Sequence, residues 1–176
     1  MKKLLMINFY FFFFIFAFIF LTPKENLYYF AEQELEKLSV VVDNEKVDDK
    51  GFTLAIEKAS LYVKGIPSAK IALFELNTYL FYNSVEIKDI ELADTLKSFV
   101  PLKINYVSAT QAIYNPLVIQ LKASGGFGEA WGSVNLQERK LKVNVTPSKL
   151  LSSKFRSTMR MMKKDKTGGY VYELTF

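Results

Sequence analysis

FTLAIEKASLYV, residues 52–63, carries the reading that decides the fold. Phe52, Leu54 and Ile56 alternate with a period of two, the mark of a strand with one buried face. Ala59, Leu61 and Val63 then alternate on the opposite parity. A parity change inside one apolar run predicts a bulge or bend near Lys58 instead of one long flat strand.

The same period runs outward from this stretch. Ile71 and Leu73, Val85 and Ile87, Ile90 and Leu92, then Leu102, Ile104 and Tyr106 continue it, with a second change of parity near Asp89. Leu117, Ile119 and Leu121 make a further strand between Asn115-Pro116 and the glycines after Ser124. Val134 and Leu136 lead through Gln137-Glu138-Arg139-Lys140 into Leu141, Val143 and Val145, a hairpin pattern. Tyr170, Tyr172, Leu174 and Phe176 read as a last strand. The expected class is mainly β: an N-terminal transmembrane helix, then a curved antiparallel sheet with two amphipathic helices. The chain of 176 residues divides into an anchor at 1–22, an amphipathic stalk helix at 23–38 and a β-rich domain at 39–176 with a basic helix at 147–165.

The anchor is residues 4–21, a run without charge whose only polar interruptions are Asn8 and Tyr10. As a helix it spans about 27 Å, enough for a hydrocarbon core of about 30 Å. A cleaved signal peptide carries small residues before the cut, whereas Ile19-Phe20-Leu21-Thr22-Pro23 is bulky, so retention is expected. Lys2, Lys3 and the free amino group lie on one side, and Lys24 is offset by Glu25 on the other. The positive-inside rule then puts the N-terminus in the cytoplasm and the β domain in the periplasm, anchored to the inner membrane.

Thr22-Pro23-Lys24-Glu25 reads as a helix start, with Thr22 as N-cap and Glu25 reaching back to it. Leu27, Phe30, Ala31, Leu35 and Leu38 form an apolar stripe. That stripe is expected to pack on the protein's own sheet, with a partner's helix as the alternative. Thr146-Pro147 begins the second helix, whose stripe is Leu150, Leu151, Phe155, Met159 and Met162. Lys149, Lys154, Arg156, Arg160, Lys163, Lys164 and Lys166 stand there against Asp165 alone, so the net charge of +5 is a local feature. Such a helix either keeps its charges in water or contacts a membrane or partner through Lys149, Lys154, Arg156, Arg160, Lys163 and Lys164. Direct nucleic-acid binding is not expected, because no aromatic side chains interleave with the charges.

The sequence has no Cys and no His. Disulfides, thiolate metal sites, cysteine nucleophiles and the commonest general base are therefore absent. Gly125-Gly126-Phe127-Gly128-Glu129-Ala130-Trp131-Gly132 has neither dinucleotide nor phosphate-loop spacing, and it predicts a bulge or tight turn with Trp131 packed over the glycines. No carboxylate pair is marked out for catalysis, and neither an enzyme nor a cofactor is expected.

The order of Gly-rich strand, hairpin, LKVNVTPSKLL, basic helix and GGYVYEL over residues 126–174 resembles general secretion pathway protein N. Gly128, Gly132, Val134, Leu136, Leu141, Val143, Pro147, Leu150, Gly169 and Tyr170 carry the likeness. The resemblance implies a bitopic inner-membrane component of a type II secretion system with a β-rich periplasmic domain, acting as a scaffold without catalytic residues. Machines of related parts assemble pseudopili for DNA uptake in natural transformation, and the Lys-, Phe- and Asn-rich composition suits an AT-rich genome. The expected partners are other inner-membrane components of such an apparatus. A periplasmic lipid-binding or lipid-transfer module is the alternative. Apolar residues on both strand faces would favour lipid, and clean alternation would favour docking; the shifts at Lys58 and Asp89 leave both open.

Overall fold

The computed structural model of the chain describes residues 2–96, 103–154, 159–160, 162–165 and 169–176. Two helices, α1 (Lys2–Leu21) and α2 (Lys24–Lys37), precede β1 (Val40–Asp43), β2 (Lys46–Asp49), β3 (Thr53–Val63), β4 (Ile66–Thr78) and β5 (Tyr82–Leu92). After a short 3-10 turn at Asp94–Leu96 come β6 (Lys103–Ala112), β7 (Asn115–Gly125), β8 (Gly128–Asn135) and β9 (Lys140–Pro147). The chain closes with α3 (Lys149–Lys154), β10 (Lys163–Lys164) and β11 (Tyr170–Thr175). The eleven strands make one antiparallel sheet in the order β1-β3-β4-β5-β6-β7-β8-β9-β11-β10, with β2 also on β3. The fold is mainly β, as the alternation predicts. α1 holds an 18-residue stretch of mean hydropathy 2.6, has no buried residue and has the length to cross a membrane, which fits a single-pass anchor or a signal sequence.

Strand register sorts the side chains into two faces. One row runs Leu54, Leu76, Val85, Ala109, Leu121, Gly132, Val143 and Tyr172 from β3 to β11. A neighbouring row runs Ile56, Phe74, Ile87, Val107, Ala123, Ala130, Val145 and Tyr170. Between these rows, on the opposite face, lie Ala55, Glu75, Glu86, Ser108, Lys122, Trp131 and Asn144. One face is therefore apolar across the sheet and the other largely polar, where Lys88 bonds Glu75 at 2.8 Å and Lys142 meets Glu173 at 3.6 Å.

The apolar face stays continuous because the strands change parity together. Ala59 pairs with Ile71, Ile71 with Ile90, and Ile90 with Ile104, a third apolar row on the other side of the shift. Lys58, Ala72, Asp89 and Asn105 lie along the line between, and the register of β6 against β7 shifts between Ile104 and Tyr106. Lys58 and Asp89 are left-handed, with φ of 61° and 50°. Asn44, φ 63°, interrupts β1 and β2 at the same level. Each such residue costs roughly 1–2 kcal/mol if it is neither Gly nor Asn or Asp. The cost is met because Ile71 and Phe74, three apart, both pack on the cluster of Leu54, Ile56 and Ala59. Strict alternation would send one of them into water.

Small residues serve the apolar face at β8. A Cβ on Gly132 would stand 2.1 Å from the Lys142 carbonyl oxygen, and Gly128 has φ +112°. Trp131 does not cover these glycines. It lies on the polar face between Lys122 and Asn144 and is 47% exposed, because alternation turns it away from Gly132.

Apart from Ile90 on β5, the buried core on the apolar face divides into two clusters towards the ends of the sheet. Leu54, Ile56 and Ala59 are covered by Tyr28 of α2 with Val42 and Val47. Val145, Leu151 and Met159 pack with Phe127, Met162 and Tyr170. Between them Val85, Ile87, Ile104, Val107, Ala109 and Leu121 are half-buried.

Two predictions distinguish this backbone from a regular sheet. Lys58→Val, favourable by strand propensity, destabilises by about 1–2 kcal/mol because a β-branched side chain fits the left-handed region worst, whereas Lys58→Gly is neutral or stabilising in urea unfolding. Gly132→Ala costs more than about 2 kcal/mol in the same measurement, since a backbone oxygen must move to admit the methyl.

Candidate functional site

The junction of α1 with the sheet is built by polar groups from distant parts of the chain. Thr22 does not cap α2: its Oγ1 donates to the Phe18 carbonyl at 2.7 Å and closes α1. Pro23 takes the N-cap position with no side-chain cap bond. The first-turn N–H of Lys24 instead donates to Asp49 Oδ2 at 2.7 Å, and Asp49 Oδ1 accepts from the Gly51 N–H at 2.9 Å. One carboxylate thus serves the start of α2 and the β2–β3 loop, each bond to a charged acceptor contributing about 1.5–3 kcal/mol. Lys24 is 2% exposed, and its Nζ donates to the carbonyls of Ile19 and Thr22 at 3.0 and 3.1 Å. A cation is thereby held at the negative end of α1. The rings of Phe16 and Phe20 stand 4.7 and 5.2 Å from that of Phe52, just before β3.

α2 rests on β1 and β2, but not through its apolar stripe. Leu27, Phe30 and Leu38 are exposed, and Leu35 is at the margin, while Lys24 and Tyr28 face inward. The expectation that the stripe packs on the protein's own sheet is therefore corrected. The reason is the Asp49–Lys24 bond, which sets the rotation of the helix from its first residue. The Tyr28 hydroxyl donates to Glu45 Oε1 at 3.1 Å. Burial, then the charges of Glu45 and Glu32, push the Tyr28 phenol well above its ordinary range. Burial, then Glu45 and Glu36, raise the Glu32 carboxyl as well.

The basic residues lie at the other end of the strands. β9 continues through Pro147, so Thr146 is in a strand and Ser148 caps α3, its Oγ accepting from the Leu151 N–H at 3.1 Å. The same hydroxyl donates to the Gly126 carbonyl at 2.7 Å. The expected helix through residue 165 does not hold as one element. Lys149 and Lys154 are in α3, Arg160 lies in a turn, and Lys163 and Lys164 pair in β10 with Val171 and Tyr170. The free edge of β11 offers backbone donors and acceptors that a continued helix would leave unpaired by protein. Arg156 and Phe155 lie outside the described residues. Arg160 and Lys164 come together at a cavity of about 520 Å³ with Met159, Met162 and Tyr170, while Lys149 and Lys163 are exposed beside it.

Sequence reasoning missed Asp49, Phe52 and the inward role of Tyr28. Asp49 carries no local signal, because its partner is twenty-five residues earlier in the chain. Phe52 reads from its alternation as a strand residue, although it precedes β3. Among the described residues no three His, Cys, Asp or Glu side chains are grouped to hold a metal ion. The chain matches no protein-family model, no curated protein and no solved structure.

The raised Tyr28 phenol has a definite sign. Its folded proton affinity exceeds the unfolded one, so its contribution is complete below the ordinary value of 10.0 and is lost as pH rises above it. Tyr28→Phe costs about 1 kcal/mol at neutral pH and shows a shallower alkaline loss of stability, read by denaturant unfolding across that range.

Proposed function

We propose that the chain is a single-pass inner-membrane scaffold of a type II secretion-like or natural-transformation machine, with its N-terminus in the cytoplasm and its sheet in the periplasm. The observation that carries this reading is the joint between α1 and the sheet. Lys24, Asp49 and the Phe16–Phe20–Phe52 contact make the apolar helix a fixed part of the β domain instead of a loose tether. A scaffold needs that rigidity to hold a docking face at a set position relative to the membrane. The alternation into one apolar and one polar face favours docking through the sheet over lipid contact on both faces. The exposed Leu27 and Phe30 on α2 offer a further surface close to the anchor, suited to a partner's helix. The secretion assignment itself rests on the resemblance of residues 126–174.

The second reading, a lipid-binding or lipid-transfer module, is favoured by the half-buried middle of the apolar face between the two core clusters. Acyl chains would lie along the rows of Val85, Ile87 and Val107.

Crosslinking in cells, followed by purification of the tagged full-length protein, separates the two. The scaffold reading expects secretin-, pilin- or ATPase-associated membrane proteins among the products. Stoichiometric lipid without such partners favours the lipid module. A reporter fused after Phe176 is expected to be active only outside the cytoplasm, and activity inside would overturn the orientation.

A further inference from the structure

The edge of the sheet next to α1 differs in chemistry from the opposite edge. The Phe52 ring that receives Phe16 and Phe20 also lies 6.2 Å from Tyr79, stacked on it, and Tyr79 lies 4.9 Å from Tyr82. Tyr79 to Tyr82 form the β4–β5 hairpin tip, Tyr-Leu-Phe-Tyr, without the Gly, Asn or Asp that usually makes such a turn. The β6–β7 tip follows at the same edge with Ile113 and Tyr114. Phe81 is 66% exposed, Ile113 63% and Tyr114 89%. The two tips are joined, because the Ile113 N–H donates to the Phe81 carbonyl at 2.9 Å. The Tyr79 N–H likewise donates to the Tyr82 carbonyl at 3.0 Å. At the far end of the strands the β3–β4 turn carries Lys64-Gly65, with Lys149 at the start of α3 and Lys163 in β10, while the charged β8–β9 turn, Gln137-Glu138-Arg139, lies at the same end as the tips but further along the sheet.

From this asymmetry we infer that the β4–β5 and β6–β7 hairpin tips sit in the interfacial layer of the bilayer that α1 crosses, giving the sheet a second hold on the membrane. The inference rests on the reading of α1 as a retained anchor. The occupant is specified by continuity: one chain of ring contacts runs from Phe16 and Phe20 in the last turns of the apolar helix to Tyr82 at the tip. Tyrosines with an apolar body and a polar hydroxyl match the headgroup boundary, and Phe81 and Ile113 match the outer acyl region. Backbone bonds made within and between the tips lower the cost of leaving water there. With two holds, the strands stand up from the membrane, and the end that carries Lys64, Lys149 and Lys163 points away from it.

The test places a single Trp in the full-length chain, after Trp131→Phe removes the native one, at Phe12, Phe81, Tyr114 or Leu150. Each variant is put into vesicles of phosphatidylethanolamine and phosphatidylglycerol containing lipid brominated near the top of the acyl chains, or near their ends for Phe12→Trp at the middle of the span, and its circular dichroism is matched to the parent. Phe81→Trp and Tyr114→Trp are expected to lose most of their emission to bromine and to shift blue, while Leu150→Trp is unchanged. Quenching at Phe12→Trp without quenching at either tip overturns the inference and leaves the anchor intact. No quenching at Phe12→Trp overturns the anchor reading and the inference with it. Equal quenching at Leu150→Trp means that the sheet lies flat on the bilayer, which also overturns it.

Discussion

A transverse crease holds this sheet to a single apolar face. Side chains on a strand alternate with a strict period of two, so a long strand with a misplaced apolar pair exposes half of it. Here the strands of the N-terminal half share the same fault at one level, through Lys58, Ala72, Asp89 and Asn105. Because the faults are aligned, Ala59, Ile71, Ile90 and Ile104 return to the face that Leu54, Phe74, Ile87 and Val107 occupy. Correcting one strand alone would leave its neighbours' side chains opposite polar groups.

The apolar face in turn dictates where the helices go. A continuous apolar surface that runs from β3 to β11 needs cover, and two buried clusters supply it near the ends. At the N-terminal end Tyr28 reaches over Leu54 and Ile56. At the other end Leu151 and Met159 lie over Val145. The middle of that face is left largely half-buried.

The helix that precedes the sheet is fixed to it by groups that do not belong to the core. Lys24 is nearly inaccessible, its ammonium donates to carbonyls at the end of α1, and Asp49 binds the next helix and the following loop together. These bonds rotate α2 so that its apolar stripe faces outward. Phe52 lies against the apolar helix, at the end of the strands that carries the aromatic β4–β5 and β6–β7 tips.

Much of this was legible in the sequence. The period of two fixed the class, the parity shifts marked the crease at Lys58 and Asp89, and the uncharged run of residues 4–21 marked α1. These are properties of near neighbours along the chain, where geometry leaves few alternatives. Strand pairing, the outward turn of Leu27 and Phe30, the use of Ser148 instead of Thr146 as a cap, and the strand at Lys163-Lys164 were decided only by the tertiary structure. Each depends on a hydrogen bond offered from elsewhere: Asp49 to Lys24, Gly126 to Ser148, the open edge of β11 to β10. Local pattern determines which residues want to be buried. Which backbone groups remain unpaired, and therefore where a helix must stop or turn, is known only once distant segments have met.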